Sequence, residues 1–418
     1  MKNTRKILAV LMSLVMALAV LPVVGVVAFA EEGITVSDYT ALSAALVDGA
    51  TITLGDDISA TSVAVPAGTS ITLDLNGYTL SSAVTCYGNL TIKDSTAGEA
   101  TISYNDANDH ATVTYDSGKI TYSSATTVSA INGGSVTLES GMIEATGGQI
   151  AICATGDKTG ETEIASTVTI AGGVVEAVEF AASAQGNGAI LNVDGGVLHS
   201  TYNAVIAGNG TNNSTTKLGG TTINISGGIA ISEMPDSADS TWIACGVYHP
   251  QSGTLNITGG TIIALGGVGV LMRGGEMNMT GGEIIATSKD SGKVGDSKII
   301  AGSYGILIDG ASSYYDGATA SVAINGGSVS ADDTLLAIVD GTATNTIVIV
   351  DGEFNQDVSE YLEEGAQMTA NEDGTYSVET VETTIFDTMQ EMIDKLSAFI
   401  QIMIDTLTDF IAIFQNIG

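Results

Sequence analysis

A chain of 418 residues with 47 Asp and Glu against 12 Lys and Arg carries a formal charge of −35. So acidic a surface repels nucleic acid and anionic lipid, and it leaves polyanion binding to calcium mediation. Three cysteines, Cys86, Cys153 and Cys245, are odd in number and lack C-x-x-C spacing, so they read as small buried apolar residues, not as a disulfide framework or metal site. With 52 glycines and 4 prolines, the composition suits a β-rich fold with many tight turns.

The chain opens on Lys2, Arg5 and Lys6, followed by an apolar run from Ile7 to Val27 interrupted only by Ser13, Pro22 and Gly25. Ala28-Phe29-Ala30 then offers a small-x-small cleavage site, so residues 1–30 read as a signal peptide cut after Ala30 and the protein as secreted or displayed at the cell surface. A retained anchor is the rival, opposed by Pro22, Gly25 and the lack of a basic stop-transfer cluster. In residues 31–50, SDYTALSAALVDG predicts a short capping helix with Ser37 as N-cap and Gly49 past its end.

Residues 51–355 repeat. LNITGGTIIA, from Leu255, returns 22 residues later as MNMTGGEIIA, from Met277. The second glycine of each such pair, or its substitute, falls at Gly118, Gly141, Gly173, Gly196, Gly228, Gly260, Gly282, Gly327 and Gly352. Intervals cluster near 22 to 25 residues, and the longer ones hold insertions rich in Gly, Asn, Ser and Asp. Apolar residues stand five before the marker (Val113 to Ile347), three before it (Tyr115 to Ile349) and mostly two after it (Ile120 to Phe354). Small residues follow at four after, and asparagines (Asn192, Asn224, Asn256, Asn278) recur at four before. Alternation on both sides of a glycine corner means strand, bend, strand, the glycine serving where φ is positive. Further short strands, GVLMR, GILID and LAIVD, precede units. Three strands in about 22 residues make one rung of a parallel β-helix, stacked on the next at ~4.8 Å. A β-propeller would need blades of about 40 residues.

The helix followed by ITLGDDI, ITLDLNGYTL, NLTIKDSTAG and then Gly-Gly rungs resembles the pectate-lyase-like right-handed parallel β-helix superfamily, of the kind found in exported and surface proteins of anaerobic gut-type Firmicutes. The likeness covers roughly residues 34–355. It implies an all-β solenoid with an N-terminal capping helix, and implies little about function, since such helices host lyases, hydrolases, adhesins and spacers.

Beyond an acidic linker over 356–384, residues 385–418 predict a separate amphipathic α-helix. Met389, Ile393, Leu396, Ile400, Met403, Leu407, Phe410, Phe414 and Ile417 follow an a/d heptad spacing. A cap folded onto the solenoid, self-association into a homo-oligomer and attachment to a wall or membrane component are the three readings. Direct binding to anionic lipid is opposed by Asp387, Glu391, Asp394, Asp405 and Asp409 against Lys395. Membrane contact is thereby confined to the signal peptide or this helix.

A lyase of the resembled class would hold calcium on acidic residues and use an arginine base. Apart from Arg5, Arg273 is the one arginine, and rung register sets it beside Asp309 and then Asp340 as a surface ion-pair ladder. The clustered carboxylates of a hydrolase are missing around Asp56-Asp57 and Asp332-Asp333. One column remains: Glu144, Glu176 and His199, three after their markers, stack outward on successive rungs, where a carboxylate pair could share a proton or a cation. The same register fits solvated outward residues such as Thr121 and Ser330.

The insertions, roughly Gly156–Ala165, Asn209–Leu218, Glu233–Ala244, Ser288–Ser303 and Ala311–Thr319, are the natural carriers of recognition. Trp242, Tyr248, Tyr314 and Tyr315 in or beside them suit stacking on neutral sugar faces. The expectation is a non-catalytic exported or cell-surface β-helix presenting loops to a glycan or a host or surface component. No cofactor is called for, calcium being the one candidate. The alternatives are a polysaccharide lyase or glycoside hydrolase, and a spacer without ligand.

Overall fold

The computed structural model describes residues 33–105, 110–147, 150–159, 162–208, 220–233, 245–287, 302–310, 318–339, 344–380 and 385–415. One sheet of 29 strands winds through it as a parallel β-helix. Each rung contributes a strand to each of three faces, and strands pair with the same face of the rungs before and after. On the first face, Ser135–Leu138 pairs with Thr167–Ile170, which pairs with Ile190–Val193, and so onward. The second face runs through Met142–Ala145, Val174–Ala177, Val197–Ser200 and Ile229–Glu233. The third runs through Ile206–Gly208, Cys245–His249, Val268–Met272, Tyr304–Asp309 and Thr334–Val339.

The repeated decapeptides lie in register: Leu255 opposes Met277, Asn256 opposes Asn278, Ile262 opposes Ile284 and Ala264 opposes Ala286. Period-two alternation sends Leu255, Ile257, Ile262 and Ala264 into the interior, where all four are fully buried. Both glycines of the corner are required, for different reasons. The second holds positive φ, as at Gly260 (φ 76°) and Gly282 (φ 82°). The first lies against the rung below: a Cβ on Gly259 would stand 2.2 Å from the Ser226 carbonyl oxygen, and one on Gly227 2.3 Å from that of Asp194.

Three sequence expectations are corrected. Gly118 begins a second-face strand, Lys119–Tyr122, but Val113 and Tyr115 are not in the first-face columns. Leu90 and Ile92 fill those places opposite Val136 and Leu138. Val113 belongs instead to an antiparallel hairpin, Thr101–Asn105 with His110–Thr114, inserted before Gly118. The capping helix, α1 (Tyr39–Ala45), is capped by Asp38, not Ser37: the Asp38 carboxylate accepts from the Ala41 amide at 2.9 Å. The supposed linker is largely folded. Ala366–Ala370 and Tyr376–Thr380 form a hairpin whose second strand pairs antiparallel with Gly352–Phe354, closing the last rung and covering its open edge. The Gly156–Ala165 insertion also folds as a hairpin, Asp157–Thr159 with Thr162–Ile164.

Residues Ile385–Gln415 form α2, and its described apolar side chains do not pack on the solenoid: their exposure runs from 48% at Ile400 to 67% at Met392. No helix among the described residues is long and apolar enough to cross a membrane.

Candidate functional site

The second face carries the column anticipated from register. Thr121 opposes Glu144, Glu144 opposes Glu176, and Glu176 opposes His199. The 32-residue spacing between Glu144 and Glu176 is therefore a single rung carrying the Asp157–Ile164 hairpin. The column then turns apolar, through Ile231, Ile263 and Ile285, before ending at Ser330.

These residues are not a solvated row. Lys119 Nζ lies 2.8 Å from Glu144 Oε2 at the partly exposed end. His199, only 3% exposed, stands between two carboxylates, with Nδ1 3.4 Å from Glu176 Oε1 and Nε2 2.8 Å from Glu233 Oε1. Glu233, equally buried, also meets His110 Nδ1 through Oε2 at 2.5 Å and accepts the Ala111 amide through Oε1 at 2.8 Å. His110 and Ala111 belong to the inserted hairpin, and Ile102 and Tyr104 from its other strand pack with Ala111 against Ile229, Ile231, Ile263, Leu265 and Ile285. The hairpin thus lies on the second face, joined to it by an apolar patch and an ionic clasp. Its root is held by Asp94, whose carboxylate accepts from the amides of Gly77, Thr96 and Gly118.

Burial alone would lower the His199 pKa, but hydrogen bonds and charge attraction from Glu176 and Glu233 outweigh it and raise the ring to about 9. Burial pulls Glu233 the other way, toward protonation, yet His199, His110 and the Ala111 amide hold its carboxyl below the ordinary range. His199 is therefore an imidazolium at neutral pH, saturated by two anions. A general base needs a free lone pair within reach of substrate, and this ring offers none.

Arg273 also departs from expectation. It is buried, not a member of a surface ladder: Nη1 donates to Tyr248 Oη at 2.8 Å, Nε lies 3.4 Å from Asp309 Oδ2, and the guanidinium carbon sits 5.4 Å from the Tyr248 ring centroid. Tyr248, 7% exposed, packs with Leu271 and Leu307, so it presents no face to a sugar. Trp242, Tyr314, Tyr315 and Asp340 lie outside the described residues. The three cysteines are free and buried, and burial pushes the thiol pKa of Cys86 and Cys153 to about 11 and raises that of Cys245. Among the described residues no group of three or more His, Cys, Asp or Glu is placed to hold a metal ion.

Two outward features escaped the sequence reading of sites. The first face carries an amide ladder: Asn224 donates to Asn192 at 2.9 Å, Asn256 to Asn224 at 2.8 Å and Asn278 to Asn256 at 3.3 Å, while Asn192 donates to Thr169 at 3.2 Å. The asparagines recur in the sequence, but their mutual bonding follows only from rung register. Near the last rungs of the second face, a cavity of about 200 Å³ is lined by residues including Glu283, Ile285, Ser328, Glu353, Phe354 and Thr375. Glu283 opposes Ser328, which opposes Glu353, and burial pushes the Glu283 carboxyl up. Two rungs separate the carboxylates by ~9.5 Å of backbone.

Comparison of the chain with protein families, with curated proteins and with solved structures returns no match. The fold defines the class, a parallel β-helix protein closed by a helix at one end and a hairpin at the other.

Proposed function

We propose that the protein is an exported, surface-located β-helix scaffold that binds without catalysis. Its outer faces and insertions hold neutral glycans or a host or cell-surface component. The observation that carries this reading is the state of the titratable column. His199 and Glu233 are buried beneath a hairpin and bonded to one another, and Glu144 and Glu176 have Lys119 and His199 as partners, so the column's chemistry serves folding. What remains outward is a regular wall of hydrogen-bonding groups, the Asn192–Asn278 ladder foremost, on a chain too acidic to attract polyanions. The basic start and cleavage site of residues 1–30 support export. The insertions bearing Trp242, Tyr314 and Tyr315 supply the sequence's aromatic candidates.

A second reading, a glycoside hydrolase, is favoured by one observation, the cavity holding Glu283 and Glu353. Burial pushes the Glu283 carboxyl toward its protonated form and Glu353 stands two rungs on, about 9.5 Å along the stack of strands, an arrangement that suits the acid and base of an inverting hydrolase, whose carboxyl groups stand roughly 6.5–9.5 Å apart.

One experiment separates the readings. Residues 31–418 are incubated with pectins, mannans and mucin glycans, with and without calcium. Bound protein is followed by pull-down and products by mass spectrometry. Retention without products is expected. Released oligosaccharides, lost in Glu283→Gln, would move the assignment to the hydrolase, and neither binding nor products would leave a spacer.

A further inference from the structure

The C-terminal helix carries an interaction surface whose partner can be named. Over Met389–Leu407 the heptad sets Ile393, Ile400 and Leu407 at a, and Met389, Leu396 and Met403 at d. Met392 and Phe399 add apolar side chains at g and Ile404 at e, while the charged Asp394, Lys395 and Asp405 fall at b, c and f. Ile402, at c, is the large apolar residue off this face among those described. All of these apolar side chains are about half exposed or more. The nine on the face offer roughly 900 Å², at about 100 Å² for each half-exposed large side chain. The largest apolar patch on a monomer is about 300–600 Å². A standard interface buries about 800 Å² per partner.

We infer that this helix joins copies of the chain into a helical bundle of more than two strands. The sequence is self-complementary in the sense a bundle requires, since one a/d repeat supplies both knobs and holes to an identical partner. Dimeric coiled coils flank their seam with charged e and g residues, whereas here those positions are apolar or uncharged and would stay wet in a pair. A bundle of four buries a, d, e and g together and leaves Asp394, Lys395 and Asp405 outward, where Gln401 at b already donates to Asp405 at f, one turn along, at 2.8 Å. The excess acid on the outer positions and the absence of a basic rim speak against an anionic membrane as the occupant. The inference goes beyond the display reading in naming the partner, and it stands or falls apart from glycan retention. Together the two would give multivalent display, in which several weak sites act as one strong one.

Residues 31–418 are measured by sedimentation and light scattering at micromolar concentration, with phosphatidylglycerol–phosphatidylcholine vesicles as a parallel arm. A mass of three or more chains is expected, near four, with no flotation on vesicles. Ile400→Asp at a should give a monomer with an unchanged strand signal in circular dichroism. Ile404→Glu at e is the discriminating variant: it should lower the assembly by at least half, whereas a dimer would tolerate it. A monomeric wild-type chain, a dimer indifferent to Ile404→Glu, or a monomer that floats with the vesicles would each overturn the inference.

Discussion

The first and second faces of the solenoid share rungs and a backbone, yet they bear different outer surfaces. The first repeats one motif: Thr169, Asn192, Asn224, Asn256 and Asn278 hand a hydrogen bond from rung to rung in partial contact with solvent. The second changes character along its length, from Glu144 and Glu176 through His199 to Ile231 and Ile263, and is covered by a hairpin that departs from the chain before Gly118. The inner columns are dictated by the period, because each rung must bury its apolar residues on the one below. The outer columns are free to vary, and the inserted segment decides what becomes of them.

The sharpest way to break this contrast is at Glu233. Glu233→Ala leaves His199 and His110 facing each other without their shared anion in a buried site. The expected loss is about 3 kcal/mol, with the hairpin released before the solenoid unwinds, checked by chemical denaturation and limited proteolysis. The same clasp sets a pH window. Glu233 is held below its ordinary 4.5, so its contribution is present above that value and lost as pH falls through the lowered one. His199 is raised from 6.5 to about 9, so its contribution is complete below 6.5 and lost as pH rises through about 9. Hairpin docking should be strongest between pH 4.5 and 6.5, as read from thermal melts across pH.

Next in size is the element that both faces share. Gly259→Ala drives a Cβ to within 2.2 Å of the Ser226 carbonyl, and the rungs must part locally, at a cost of about 1–3 kcal/mol in unfolding free energy. Asn224→Ala breaks two ladder bonds at a half-buried position and should cost about 1 kcal/mol, with no change in hairpin protection. Lys119→Ala removes a pair that is 39% and 24% exposed, and melting should register less than about 1 kcal/mol.

Much of the scaffold is legible in the chain. The glycine pairs, the alternation around them and the asparagine recurrence specify rungs and register, as the pairing of Leu255 with Met277 shows. The heptad from Met389 specifies the final helix. The outer hairpin escaped because its strands fall at an interval close to the repeat's own, so that Val113 and Tyr115 imitate a column. The better signal is local: TISYN and HATVT alternate on either side of Asp-Ala-Asn-Asp, a hairpin pattern. The closing hairpin has the same kind of signature, Asn371 to Gly374 between two alternating runs, obscured by its acidity. The site was half legible. Register alone aligns Glu144, Glu176 and His199, but Glu233 sits two positions beyond their column and His110 lies 123 residues away in sequence, so no spacing rule could bring them together. Burial of Arg273 against Tyr248 likewise depends on third-face packing that a rung pattern does not encode.

The central claim is that the titratable column holds a hairpin down and is not presented to substrate. Amide hydrogen exchange at Ala111, whose N–H donates to Glu233, tests it most directly, in the wild type and in Glu233→Gln near pH 6. Strong protection is expected in the wild type and its loss in the variant, with first-face amides around Asn224 unchanged. Rapid exchange at Ala111 in the wild type, or protection indifferent to the substitution, would contradict it and return His199 and its carboxylates to the list of groups open to a ligand.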